Sequence, residues 1–208
     1  MGGQRTTADW EAARVAARQH GVITWLQLLA AGLTPRMIER RVQKGTLHRV
    51  YRGAYRVGHT APSMEARYLA AVLAAGEGAL LTGKAAAHLM RLLRGPEPRP
   101  EIVTPSKRRI EGVITHRSRT RSARDRWSRQ GIPCTTIAAT LVSLAESLSD
   151  EDLAKACHQA QVMYRTQPED VEAVRRGDDF RRFTFGDVFD RPHQMLEELG
   201  PLLRVDGR

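Results

Sequence analysis

The stretch Thr24–Lys44 constrains this chain more than any other. Thr24-Trp25-Leu26-Gln27 is a capping box. The Thr hydroxyl accepts the amide three residues on, and the Gln side chain at that position reaches back to the Thr amide. The helix so opened runs to about Ala31, where Gly32 supplies the left-handed conformation that a helix end favours. Thr34-Pro35 restarts a helix at once, Thr as cap and Pro at the first helical position. This third helix is expected over Pro35–Lys44 and to stop at Gly45. Two short capped helices joined by a glycine turn within 21 residues have the dimensions of a helix-turn-helix.

The flanks agree. Ala8–Gln19 reads as a helix, with Trp10, Ala13, Ala16 and Ala17 at helical spacing and Gly21 beyond its end. Leu47–Val57 contains two β-prone runs around Arg52-Gly53, which reads as a hairpin. Its alternation is imperfect and leaves the register open. A basic hairpin directly after a helix-turn-helix is a wing. Trp10, Trp25, Leu26, Leu28, Leu29 and Leu33 are expected to form the three-helix core, with Ile38 and Val42 packing inward from the third helix. The winged helix-turn-helix is placed at residues 1–60, and Ala61-Pro62-Ser63 reads as a linker.

A second, mixed helix and small-sheet region is expected over residues 63–177, so the fold class is α+β. Helices are read at Met64–Ala75, Gly83–Leu93, Thr136–Ser147, Asp150–Met163 and Pro168–Gly177. Strands are read at Ala79–Thr82, Glu101–Val103, Val113–His116 and Ile132–Thr135, with a Pro-rich loop at Gly95–Pro100. Arg181–Arg208 shows no firm periodicity beyond Met195–Leu203, and residues 178–208 read as a divergent or poorly ordered tail.

Charge is unevenly spread. The net value is +10. Residues 1–60 hold ten Lys or Arg against three Asp or Glu, a balance of +7. Residues 107–129 hold nine against two, again +7, and the remainder lies near neutrality. Two basic clusters imply contact with a polyanion. In a helix-turn-helix the last helix enters the major groove. Arg36, Arg40 and Gln43 share its outward face; Arg matches guanine and Gln adenine. Thr34 and Lys44 stand at its two ends, and Lys44 can reach phosphate. Arg49, Arg52 and Arg56 on the wing suit backbone or minor-groove contact. Tyr51 and Tyr55 could stack on nucleotides or pack the wing, and the segment Lys107–Arg129 could be a second nucleic-acid contact or a solvated edge.

No catalytic pattern emerges. The seven histidines form no H-x-x-x-H or H-E-x-x-H pair, and no G-x-S-x-G, P-loop or G-x-G-x-x-G is present. The acidic pairs Asp178-Asp179 and Glu197-Glu198 are followed by no Lys-bearing strand of a nuclease core. No catalytic residue, metal site or cofactor is therefore expected. Cys134 and Cys157 read as small core thiols rather than a disulfide or zinc site, in keeping with a reducing cytoplasm. No run approaches a membrane span, and the N-terminus carries no signal-peptide apolar run.

Three segments carry a family resemblance. His20-Gly21-Val22-Ile23-Thr24, Leu33-Thr34-Pro35 with Ile38, and Gly45–Tyr55 resemble the N-terminal domain of AbiEi-type antitoxins. The run Leu47–Val57 is the most specific part. Thr82–Leu92, Glu101–Val103 with Val113–Arg117, and Gly131–Thr136 resemble the middle of actinobacterial members. The resemblance spans about residues 10–176. It implies a transcriptional autorepressor of a type IV toxin–antitoxin pair. Its winged helix would bind operator repeats in double-stranded DNA through Arg36–Lys44 and Arg49–Arg56. Its second region would oppose a nucleotidyltransferase-like toxin, by a route that need not involve contact. Longer relatives carry a Vsr-like endonuclease domain, of which Leu203–Gly207 is at most a fragment. A remnant of such a nuclease, or a toxin-binding interaction module, is the alternative. The oligomeric state is left open.

Overall fold

A computed structural model describes residues 7–58, 63–118 and 125–177. Its first elements are α1 (Thr7–Ala17), β1 (Val22–Thr24), α2 (Trp25–Ala30), α3 (Pro35–Gln43), β2 (Leu47–Tyr51) and β3 (Ala54–Val57). The three strands form an antiparallel sheet in the order β1-β3-β2, and the fold is α+β, beginning with a winged helix-turn-helix. β1 is not legible in the sequence alone. It has only three residues, runs straight into α2, and pairs with β3 rather than with a neighbour in sequence. Two of its residues, Val22 and Ile23, are fully buried on opposite faces of the sheet.

The core of this unit differs from the expected set. Leu28, Leu33 and Ile38 are buried, and Trp25 and Val42 pack against them. Trp10, Leu26 and Leu29 instead remain 61%, 75% and 37% exposed. The reason is length and face. α2 has six residues, and Leu28 is its buried one. α1 buries Ala12 and Ala16, whose small side chains allow close approach, and Trp10 lies off that face.

The wing register explains the imperfect alternation. Leu47 pairs with Val57, His48 with Arg56 and Arg49 with Tyr55; the register then shifts, so that Tyr51 opposes Ala54. The extra residue is a β-bulge, which breaks the period of two.

α4 (Met64–Ala75) opens on Ser63, whose hydroxyl accepts the Ala66 amide at 3.1 Å. It is buried over much of its circumference because it packs on two bodies. Ala66 and Ala70 meet Val22 and Ala54 of the wing sheet, while Tyr68, Leu69 and Val72 enter the larger core. That core surrounds a mixed five-stranded sheet. Its strands are β4 (Leu80–Leu81), β5 (Glu101–Thr104), β6 (Ile114–Arg117), β7 (Arg126–Arg129) and β8 (Ile132–Thr135), in the order β6-β5-β4-β8-β7. β7, Arg-Trp-Ser-Arg, lacks a strand pattern in the sequence, because its polar residues belong to an edge strand antiparallel to β8. The helices α5 (Gly83–Leu89), α6 (Ile137–Leu144), α7 (Asp150–Tyr164) and α8 (Pro168–Gly177) complete this part.

At Gly83, with φ of +55°, a Cβ would collide with the Glu101 carboxylate, which accepts the Lys84 amide. Cys134 and Cys157 are free and buried, and burial pushes both thiols up to about 12. Among the described residues no helix is long and apolar enough to cross a membrane. The expected tail, 178–208, lies outside the described residues.

Candidate nucleic-acid interface

The two helices of the motif are fixed by their own ends. Thr24 Oγ1 accepts the Gln27 amide at 3.1 Å, and Gln27 Oε1 accepts the Thr24 amide at 2.9 Å, so both halves of the capping box form. At the other end of α2 the Leu33 amide donates to Leu28 O and the Gly32 amide to Leu29 O, with Gly32 at φ +94°. This is a Schellman closure. Thr34 Oγ1 then accepts the Met37 amide at 3.3 Å and starts α3 within three residues of the turn. α3 closes the same way: the Thr46 amide donates to Arg41 O and the Gly45 amide to Val42 O. Local chemistry thus sets the length of α3 before any tertiary contact does.

Tertiary packing decides which side chains α3 presents. Ile38 is buried against the core. Arg41 is turned back: its Nε lies 2.7 Å from Asp9 Oδ1 on α1, and its Nη1 donates to Met37 O at 3.0 Å. Arg36, Arg40, Gln43 and Lys44 are exposed, as is the capping residue Thr34. Of two adjacent arginines, Arg40 points to solvent and Arg41 braces the helix. The Asp9 partner is not legible in the sequence, where an acid in the first turn of α1 is its only local trace.

The wing separates its three arginines. Arg49 is exposed, and its guanidinium carbon lies 5.9 Å from the centre of the Tyr55 ring. Tyr55 is buried and tilts against Trp25 at 6.2 Å between centroids. Arg52 is exposed in the turn, and the neighbouring Gly53 carbonyl accepts the Trp25 amide at 2.9 Å. The turn is thereby tied to the start of α2. Arg56 stands elsewhere. It opposes Val22 on one side and His48 on the other, on the sheet face that α4 covers. The bulge fixes this difference, so Arg56 is not gathered with Arg49 and Arg52. Tyr51 also packs toward α4, and burial raises its hydroxyl above the usual tyrosine value. Both wing tyrosines serve packing.

The second basic cluster is divided between the two edges of the larger sheet. β6 ends in His116 and Arg117 at one edge; β7 carries Arg126 and Arg129 at the other. Arg129 lies over the Tyr164 ring at 5.8 Å. His116 Nε2 lies 2.7 Å from Glu101 Oε1. Among the described residues of this segment, Arg117 therefore stands apart from Arg126 and Arg129, at the opposite edge of the sheet. Among the described residues no group of three His, Cys, Asp or Glu is arranged to hold a metal ion.

The chain is similar in fold to the crystal structure of the RV2827C protein from Mycobacterium tuberculosis, with a TM-score of 0.50 and 22% identity over 95% of this chain and 78% of that one. No curated protein matches it. Residues 11–58, the winged helix-turn-helix itself, match the family described as transcriptional regulator, AbiEi antitoxin.

Proposed function

We propose that this chain is a sequence-specific DNA-binding antitoxin and the autorepressor of a type IV toxin–antitoxin operon. The observation that carries the reading is the outward face of α3. Arg36, Arg40, Gln43 and Lys44 are exposed on a helix capped at both ends and braced by Asp9–Arg41. Such a helix enters the major groove as a preformed element, with its side chains as the readers. Arg49 and Arg52 extend the positive surface onto the wing, and Thr34 sits at the helix N-terminus where a phosphate is favoured. The match of residues 11–58 to AbiEi antitoxin regulators supports the same reading. The protein acts in the cytoplasm on double-stranded operator repeats and opposes a nucleotidyltransferase-like toxin.

The test is a fluorescence-anisotropy titration of the full chain on its upstream promoter and on a scrambled duplex of equal length, at two salt concentrations. A preference of about a thousandfold is expected, in the range of specific binders, with affinity falling steeply as salt rises. Equal binding to both duplexes overturns the sequence-specific reading.

A further inference from the structure

A cleft of about 820 Å³ opens between the wing and the second part of the chain. One wall is the start of α2 and the wing turn, with Trp25, Leu26, Arg49 and Arg52. The other is the end of α4 and the loop after it, with Leu73 and Glu77, joined by Arg126 of β7. Its apolar residues leave the large Leu26 side chain three-quarters exposed. Its charged residues are three arginines and one glutamate. Among the described residues, none of Arg49, Arg52 and Arg126 has a carboxylate within ion-pair distance.

A concave, mainly apolar space at the junction of two parts of a fold, of between roughly 300 and 1,000 Å³, is the size and place of a small-molecule site. Unpaired guanidinium groups at its rim select an anion, because their planar forks match carboxylate, sulfonate and phosphate oxygens. Arg49 is already held by the Tyr55 ring, so less of its freedom remains to be lost on binding. A duplex backbone would be served by a shallow polar track; here the space is concave, and Trp25, Leu26 and Leu73 line it beside the arginines. We propose that this cleft binds a small organic anion with a flat apolar body, and that the bound anion withdraws Arg52 from DNA. The second half rests on the DNA-binding reading; the first does not.

The experiment uses the full chain and two dyes. Anilinonaphthalene sulfonate carries the anionic group, and phenylnaphthylamine has the same ring system without it. Saturable binding of the sulfonate is expected, about tenfold or more tighter than the uncharged dye. Arg126→Ala should remove that preference while leaving the uncharged dye and the unfolding midpoint unchanged. Leu26→Glu, at an exposed position, should weaken the sulfonate further by placing a like charge in the cleft. In the DNA arm, saturating sulfonate should lower duplex affinity for the parent and not for Arg126→Ala. Equal affinity for the two dyes, or a sulfonate affinity that Arg126→Ala leaves intact, overturns the site. Loss of duplex affinity in Arg126→Ala, with a salt slope smaller by about one, makes the cleft a DNA-backbone contact and also overturns it. Absence of duplex binding by the parent sinks the DNA-binding reading and leaves the dye titration to stand alone.

Discussion

His20 Nε2 lies 2.7 Å from the carbonyl oxygen of Gln130. The imidazole N–H donates across from the α1–β1 turn to the β7–β8 turn, and so joins the wing unit to the larger sheet. Both residues are left-handed, each with φ of 52°, although neither is glycine. Side chains adopt this conformation at a cost of about 1–2 kcal/mol. Gln130→Gly should therefore raise stability by about 0.5–1 kcal/mol, because it relieves the backbone and keeps the accepting carbonyl. His20→Ala should lower it by about 1 kcal/mol, since it loses the hydrogen bond and keeps the strain. Urea midpoints at unchanged slope measure both. A loss of stability in Gln130→Gly would show that the Gln130 side chain matters more than its backbone.

Asp9 and Arg41 form a second tie, at 2.7 Å, with each side chain only about a quarter exposed or less. Because the pair is sheltered and Arg41 also donates to Met37 O, it should contribute near the upper end of surface ion pairs. Asp9→Ala should cost about 1 kcal/mol. It should also weaken promoter binding, because α3 loses its brace to α1 and must be ordered when DNA binds. Restoring promoter affinity by Asp9→Glu, without a matching restoration in Asp9→Asn, would identify the charge as the active element. Equal promoter affinity in Asp9→Ala and the parent would refute the brace.

Exposure separates two roles on α3. Arg40 faces outward in mid-helix and Lys44 at its C-cap. Arg40→Ala should cost about 1–3 kcal/mol on the promoter and little on scrambled DNA, since a base-reading arginine acts through sequence. Lys44→Ala should weaken both duplexes alike and reduce the salt slope by about one. Equal loss on both duplexes for Arg40→Ala would assign it to the phosphate backbone instead.

What could be read from the sequence was the chemistry written between near neighbours. The caps expected at Thr24 and Thr34 accept the amides of Gln27 and Met37, whereas Ser63, read as linker, turns out to cap α4. What could not be read depended on distant partners. β1 is three residues long and exists because β3 returns to pair with it. Trp10, Leu26 and Leu29 were read as core on hydrophobicity, but a helix as short as α2 turns few of its residues inward. Arg40 and Arg41 are alike in sequence, and only Asp9 on another helix distinguishes them. Arg56 resembled Arg49 until the bulge between Arg49 and Tyr51 fixed which face each takes.

The two thiols report on global unfolding. Burial pushes Cys134 and Cys157 up to about 12 from an ordinary value of 9.0. The folded state therefore keeps both protonated where the unfolded chain would ionise. Their contribution is therefore fully present below about pH 9 and is lost progressively as pH rises from there toward 12. Stability should show no thiol-dependent change near neutrality and should fall on raising the pH above 9. Replacing both cysteines by alanine should flatten that fall, against a background in which Tyr68, also raised by burial, contributes in the same direction. At neutral pH a disulfide reagent should label both sulfurs only at the rate at which the core opens, because the thiolate is the reacting species and neither thiol is accessible. Rapid labelling of either cysteine in the folded protein would contradict its burial.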